Sequence, residues 1–189
     1  MVRGFKANAD RKSIKLRNEL ELEEHDPLCA FDLAEHLKVI VKSPRELVNL
    51  DGECANTLLS DSSPHWSASV IPIHATNGYL IIHNSNHSPA RQQSNIMHEI
   101  AHILCKHSFD RESEHQLISP LLRSYDKDQE DEANYLGACL QLPRPALLYS
   151  MKKQMTPLEI SEHYNASIEM VRYRMQTTGV RRQIKYYKH

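Results

Sequence analysis

A chain of 189 residues with 40% apolar and 25% charged side chains is long enough for one well-buried core and little more. Its net charge of −1 excludes bulk attraction to polyanions, and no apolar run approaches the roughly 18 residues of a membrane span. Cys29, Cys54, Cys105 and Cys139 are scattered without a paired motif, and Met1-Val2-Arg3-Gly4-Phe5-Lys6 lacks the apolar core of a signal peptide. Both features fit thiols in a reducing cytoplasm better than a disulfide framework or a cysteine zinc site. Charge is uneven, however. Residues 1–17 carry six cations against Asp10, and 170–189 carry Arg172, Arg174, Arg181, Arg182, Lys185 and Lys188 with no acid beyond position 170. Solvated basic ends are commoner than nucleic-acid contacts.

In chain order, Ala9, Ser13, Leu16 and Leu20 recur at helical spacing and predict a helix over 4–21. A short helix follows through 31–37, then a strand at Val39-Ile40-Val41. Ser43-Pro44-Arg45-Glu46 is a capping box that opens a short helix to about Asn49. Residues 51–65 are polar and turn-rich. Ala68–Ile73 and Tyr79–His83 read as two strands, and Asn77-Gly78 between them signals a hairpin. Pro72 has no N–H for a ladder, so its strand lies at an edge or carries a bulge. An edge of that kind can hold an extended peptide by strand addition; equally, Pro72 can serve only to block aggregation.

Ser88-Pro89 supplies an N-cap and a first-turn proline for a helix over about 89–106. Within it stands His98-Glu99-Ile100-Ala101-His102. Residues four apart return to one helical face about 6 Å along the axis, so two imidazoles can share one Zn²⁺ while Glu99 reaches a water on it. Ile96, Met97, Ile100, Ile103 and Leu104 fall on the opposite side, which predicts a buried back and a cleft-facing histidine pair.

Such a site needs a third protein ligand. One class places a His six residues after the second, with a Gly between; Ser108 and Cys105 occupy those positions here, and His107 is one residue off. The other class takes a Glu from a later helix, and Asp128–Ala138 offers Glu130 and Glu132, which wheel geometry separates only weakly. Glu130, Asn134 and Gly137 share a stripe, so Asn134 is placed to support a ligand by hydrogen bond. Ala133, Gly137 and Ala138 permit close approach to a neighbouring helix. The polar connection 108–127 contains His115 and Tyr125, and neither is singled out as an oxyanion donor. The Glu130 helix runs to about Leu140 and stops before Pro143-Arg144-Pro145.

Thr156-Pro157-Leu158-Glu159 is a second capping box, starting a helix to about Tyr164; Asn165-Ala166-Ser167 turns into another over 168–177, with Gly179 as its C-terminal cap. The pair looks like a helix-turn-helix with Arg172 and Arg174 on its second member. Ile160, Ile168, Val171 and Met175 must be buried, which favours a hairpin packed on the core over a DNA reader.

His98-Glu99-x-x-His102, then Glu130-x-x-Ala133-Asn134, then Leu142-Pro143 resembles the ImmA/IrrE family of zinc metallo-endopeptidases. Similarity extends to Arg3-Gly4-Phe5-Lys6, Asn86–Gln92 and Tyr173-Arg174-Met175. The resemblance implies Glu130 as third ligand. It also implies an α+β, compact zincin-like fold with a small antiparallel sheet. Residues 1–189 then form one metallopeptidase domain, with a helix-turn-helix-like subdomain at 153–180 packed on it. Zn²⁺ is the expected cofactor and Glu99 the catalytic base. The expected substrate is a helix-turn-helix repressor of a prophage, mobile element or stress regulon. Two other readings remain: a non-proteolytic regulator that binds DNA or protein, and the antitoxin half of a toxin–antitoxin pair.

Overall fold

The computed structural model describes residues 1–47, 66–107 and 126–186. Helix α1 (Phe5–Glu19) is followed by α2 (Ala30–His36) and strand β1 (Ile40–Lys42). Strands β2 (Ala68–Ile73) and β3 (Gly78–His83) lead into the long helix α3 (Pro89–Cys105). Five helices follow among the described residues: α4 (Lys127–Gln141), α5 (Arg144–Lys152), α6 (Pro157–His163), α7 (Ile168–Thr178) and α8 (Val180–Tyr186). No helix among the described residues is long and apolar enough to cross a membrane.

The three strands lie in the order β1-β3-β2. The β2–β3 hairpin is antiparallel, with Asn77 in the left-handed region at its turn, but β1 pairs with β3 in parallel. The sheet is therefore mixed, which corrects the expectation of an antiparallel one. Its reason lies in β3: the unbroken apolar run Leu80-Ile81-Ile82 suits a central strand with a neighbour on each side. β2 is an edge strand, as Pro72 requires, and its register against β3 is continuous, without a bulge. Val70 N–H points away from β3 to a side chain of α3. Strand alternation turns the Pro72 nitrogen the same way, so its missing N–H is not needed by the β2–β3 ladder.

Burial of one helix face assembles the main core. Ile96, Met97 and Ile100 of α3 are fully buried with Leu33, Ile81, Leu136 and Leu140, while Ile103 and Leu104 pack at its margin. α4 crosses α3 at a close approach centred on Gly137. A Cβ there would stand 3.2 Å from the backbone of His98 and from the Met97 carbonyl oxygen. α1 covers the outer side of α4 with Ala9, Ser13 and Leu16. Gln93 of α3 accepts from Ala30 N–H at 2.6 Å, satisfying the first amide of α2.

Other local expectations need adjusting. Ser43–Glu46 forms its capping box but opens only a single 3₁₀ turn, Pro44–Glu46, and Asn49 falls outside the described residues. Ser88 occupies the N-cap without a side-chain bond. Beyond Leu142, α5 forms where none was expected, with Pro145 inside its first turn. Gly179, at φ 64°, closes α7 as anticipated, yet the chain re-enters a helix at once in α8.

A second cluster gathers Leu142, Ala146, Leu147, Ile160, Tyr164, Val171, Met175 and Val180. Arg174, 0% exposed, joins the two: its Nε donates to the Leu142 carbonyl at 2.8 Å and its Nη2 to Asp10 Oδ1 of α1 at 3.3 Å. Tyr164 Oη donates to the His25 carbonyl, a further tie to the N-terminal segment.

Candidate metal centre

α3 presents His98 and His102 one turn apart, and α4 brings Glu130 to meet them from its own first turn. Asp126 caps α4, its carboxylate accepting from the Asp128 and Gln129 amides, so the helix starts one turn before the ligand. His98 Nε2 and His102 Nε2 stand 3.0 Å apart. His98 Nε2 is 3.3 Å from Glu130 Oε2, and His102 Nε2 is 3.3 Å from Glu130 Oε1.

Those spacings have a chemical meaning. A tetrahedral ion with bonds of about 2.0–2.1 Å sets its ligand atoms about 3.3 Å apart along each edge. Two imidazole nitrogens and a carboxylate that converge at this spacing repel one another unless a cation or shared protons lie among them. Together the three side chains form the His/Glu cluster able to hold a metal ion, so the donor set fits zinc.

Glu99 lies 5% exposed beside this triangle, and its Oε2 accepts from Val70 N–H of the edge strand at 3.0 Å. The helix that supplies the ligands thus has its carboxylate fixed by the adjoining sheet.

Asn134 falls elsewhere. It is exposed and lines a surface pocket with Lys6, Asp131, Tyr135 and Tyr173. The group behind a ligand is His107, whose Nδ1 is 2.9 Å from His102 Nδ1. Glu132, weighed as a rival ligand, turns instead toward His107 Nε2 at 3.4 Å. The missed signal was the helix end. Lys106 adopts a left-handed φ of 55° and folds His107 back onto the last turn of α3, a geometry usually announced by Gly.

Cys105 is half-buried and its thiol is pushed up by that burial, partly countered by Lys12; it stands outside the His98, His102 and Glu130 cluster. Lys12 Nζ itself donates to the Leu104 carbonyl at 2.9 Å, covering the C-terminal end of α3. Ser108, His115, Tyr125 and Cys54 lie outside the described residues.

A family model described as the IrrE N-terminal-like domain matches residues 56–176, well over half of the chain and all of the metal-site triangle. The chain belongs to this family. None of the curated proteins matches it. α1, α2 and β1 precede the stretch matched by the IrrE N-terminal-like model, although α1 packs directly on the helix that carries Glu130.

Proposed function

We propose that this IrrE-like domain is a zinc-dependent endopeptidase, with the ion held by His98, His102 and Glu130. Zinc supplies Lewis acidity and lowers the pKa of a water from near 16 to about 7. Glu99 is the general base: it takes the proton of the attacking water and returns it to the departing amine. Its bond from Val70 N–H fixes the carboxylate in place through both transfers. The outward edge of β2 supplies carbonyls at Val70 and Pro72 that suit the amides of an extended substrate.

The observation that carries this reading is the triangle itself: two imidazole nitrogens of one helix 3.0 Å apart, each 3.3 Å from a different oxygen of the Glu130 carboxylate on the next. From the family resemblance we take the substrate to be a helix-turn-helix repressor of a prophage, mobile element or stress regulon. The two C-terminal helices α6 and α7 are then packing elements of a single domain over 1–189. Support comes from Arg174, one of the two cations a DNA-reading α7 would offer, which is wholly buried.

The test is metal content followed by cleavage. Wild type should hold one zinc per chain, Glu130→Ala should hold none, and Glu132→Ala should keep it under saturating metal. Co-incubation with the repressor encoded beside this protein should yield discrete fragments. An intact repressor in the presence of zinc-loaded protein would overturn the substrate assignment.

A further inference from the structure

His107 and Glu132 have no place in the chemistry just described, yet they are buried behind it. The His107 side chain is 6% exposed and that of Glu132 13%. Three contacts run in line: His102 Nδ1 to His107 Nδ1 at 2.9 Å, His107 Nε2 to Glu132 Oε2 at 3.4 Å, and Val2 N–H to Glu132 Oε1 at 3.1 Å.

Proton positions along this line follow from one requirement. His102 Nε2 faces His98 and Glu130, so a cation there takes its lone pair and the ring proton must sit on Nδ1. That proton donates to His107 Nδ1. His107 then carries its own proton on Nε2, where it meets the Glu132 carboxylate, whose second oxygen is held by Val2 N–H. Every donor along the line finds an acceptor. The opposite tautomer of His102 would leave two bare nitrogens facing each other or put a proton where the ion belongs.

The backbone shows why His107 arrives there. Lys106 N–H bonds the Ile103 carbonyl and His107 N–H the His102 carbonyl, a Schellman end to α3. In that motif the residue after the left-handed position folds over the residue five back, which here is the ligand. His102 needs such a partner because its side chain is only 3% exposed, whereas His98 at 24% can use solvent.

We infer that His107 and Glu132 are positioning residues of the metal centre, holding His102 in the tautomer and orientation that bind the ion. This rests on the zinc reading above. The experiment measures zinc affinity of the full chain by competition with a chromophoric chelator, for wild type, His107→Phe, His107→Gln and Glu132→Gln. Metal-free Tm and the visible spectrum of the Co²⁺-loaded proteins are recorded beside it. His107→Phe should bind zinc about 10–100-fold more weakly and alter the Co²⁺ spectrum, with the metal-free Tm little changed. His107→Gln, whose amide oxygen can accept from His102 Nδ1–H, should recover part of the affinity. Glu132→Gln, isosteric and able to fold whatever becomes of the His107 variants, should lose roughly tenfold. Equal affinity in wild type, His107→Phe and Glu132→Gln overturns the inference and leaves the zinc reading intact. A wild type that binds no zinc overturns both.

Discussion

Helix α4 meets polar groups at both ends, and the two ends treat them differently. At the first turn Glu130 meets His98 and His102, with acceptor atoms aimed at one point. At the last turn two arginines meet backbone carbonyls: Arg17 of α1 donates to Leu140 at 2.8 Å, and Arg174 of α7 donates to Leu142 at 2.8 Å. The arginines satisfy carbonyls that the helix leaves unpaired and oppose the negative end of its dipole. Burial pushes the Arg17 guanidinium down to about 10, outweighing the opposing influence of Tyr164 and Asp26. Burial also works against charge on Arg174, but its surroundings outweigh that and raise its pKa. The Cys139 thiol there is pushed up to about 12 by its own burial, so at neutral pH Asp10 is the charge that matters. Buried polar atoms that pair with backbone hold a fold together. Acceptors that face one another, as His98, His102 and Glu130 do, are suited to a cation.

Substitutions at the two ends should therefore fail in different ways. The largest effect belongs to Glu99→Gln. It keeps the side chain's volume and its bond from Val70 N–H but removes the base, so zinc should stay bound while turnover falls by about 10²–10⁴. Metal content and peptide cleavage measured on one preparation would check this. Cleavage at the wild-type rate would remove Glu99 from its role.

Arg174→Leu acts at the other end. It leaves Asp10, whose side chain is 29% exposed, without its ion pair and the Leu142 carbonyl without its donor. The expected loss is about 3 kcal/mol in denaturant unfolding, with zinc stoichiometry unchanged in whatever remains folded. A variant that unfolds normally but loses zinc would erase the contrast between the two ends.

The metal end was more legible than the arginine end, for a physical reason. A ligand pair at i and i+4 leaves its spacing in the sequence, and Glu130 could be reached from the same helical arithmetic joined to a family resemblance. Arg17 and Arg174 carry no such pattern: each is one more cation in a basic stretch until the fold shows which carbonyl it covers. Asn134 and His107 mark the limit of wheel reasoning. One sits on the right stripe but lines an exposed pocket; the other lies off the helix altogether, delivered by a left-handed Lys106 that composition does not reveal. The parallel pairing of β1 was hidden for a similar reason, because a hairpin announces its turn and a crossover does not.

Gly137 lies between the two ends and should show a mixture. In Gly137→Ala the added Cβ meets the His98 and Met97 backbone at 3.2 Å, so α3 and α4 must part by a few tenths of an ångström. Overpacking costs about 1–3 kcal/mol, while Ala in a helix recovers up to about 1 kcal/mol relative to Gly. The net destabilisation should be about 1 kcal/mol, smaller than for Arg174→Leu. Zinc affinity should nevertheless fall, because the same displacement moves Glu130 away from both histidines. Unchanged affinity would mean that the triangle tolerates movement between its helices.

The smallest effect is expected farthest from the ion, at the capping box of α6. Thr156 Oγ1 accepts from Glu159 N–H at 3.3 Å, and Glu159 Oε2 accepts from Thr156 N–H at 2.6 Å and from its hydroxyl at 2.8 Å. Thr156→Ala removes the hydroxyl's part, and Tm should fall by roughly 2–4 °C at neutral pH with zinc affinity unaltered. The backbone bond from Thr156, and then its hydroxyl, hold the Glu159 carboxyl below its usual range. A carboxylate depressed in the folded state adds stability above its unfolded pKa and loses it as pH falls through the folded value. The gap in Tm between wild type and Thr156→Ala should therefore narrow in acid. A gap that stays constant from neutral pH to below the carboxylate range would show that the hydroxyl acts only on the Glu159 amide and not on its charge.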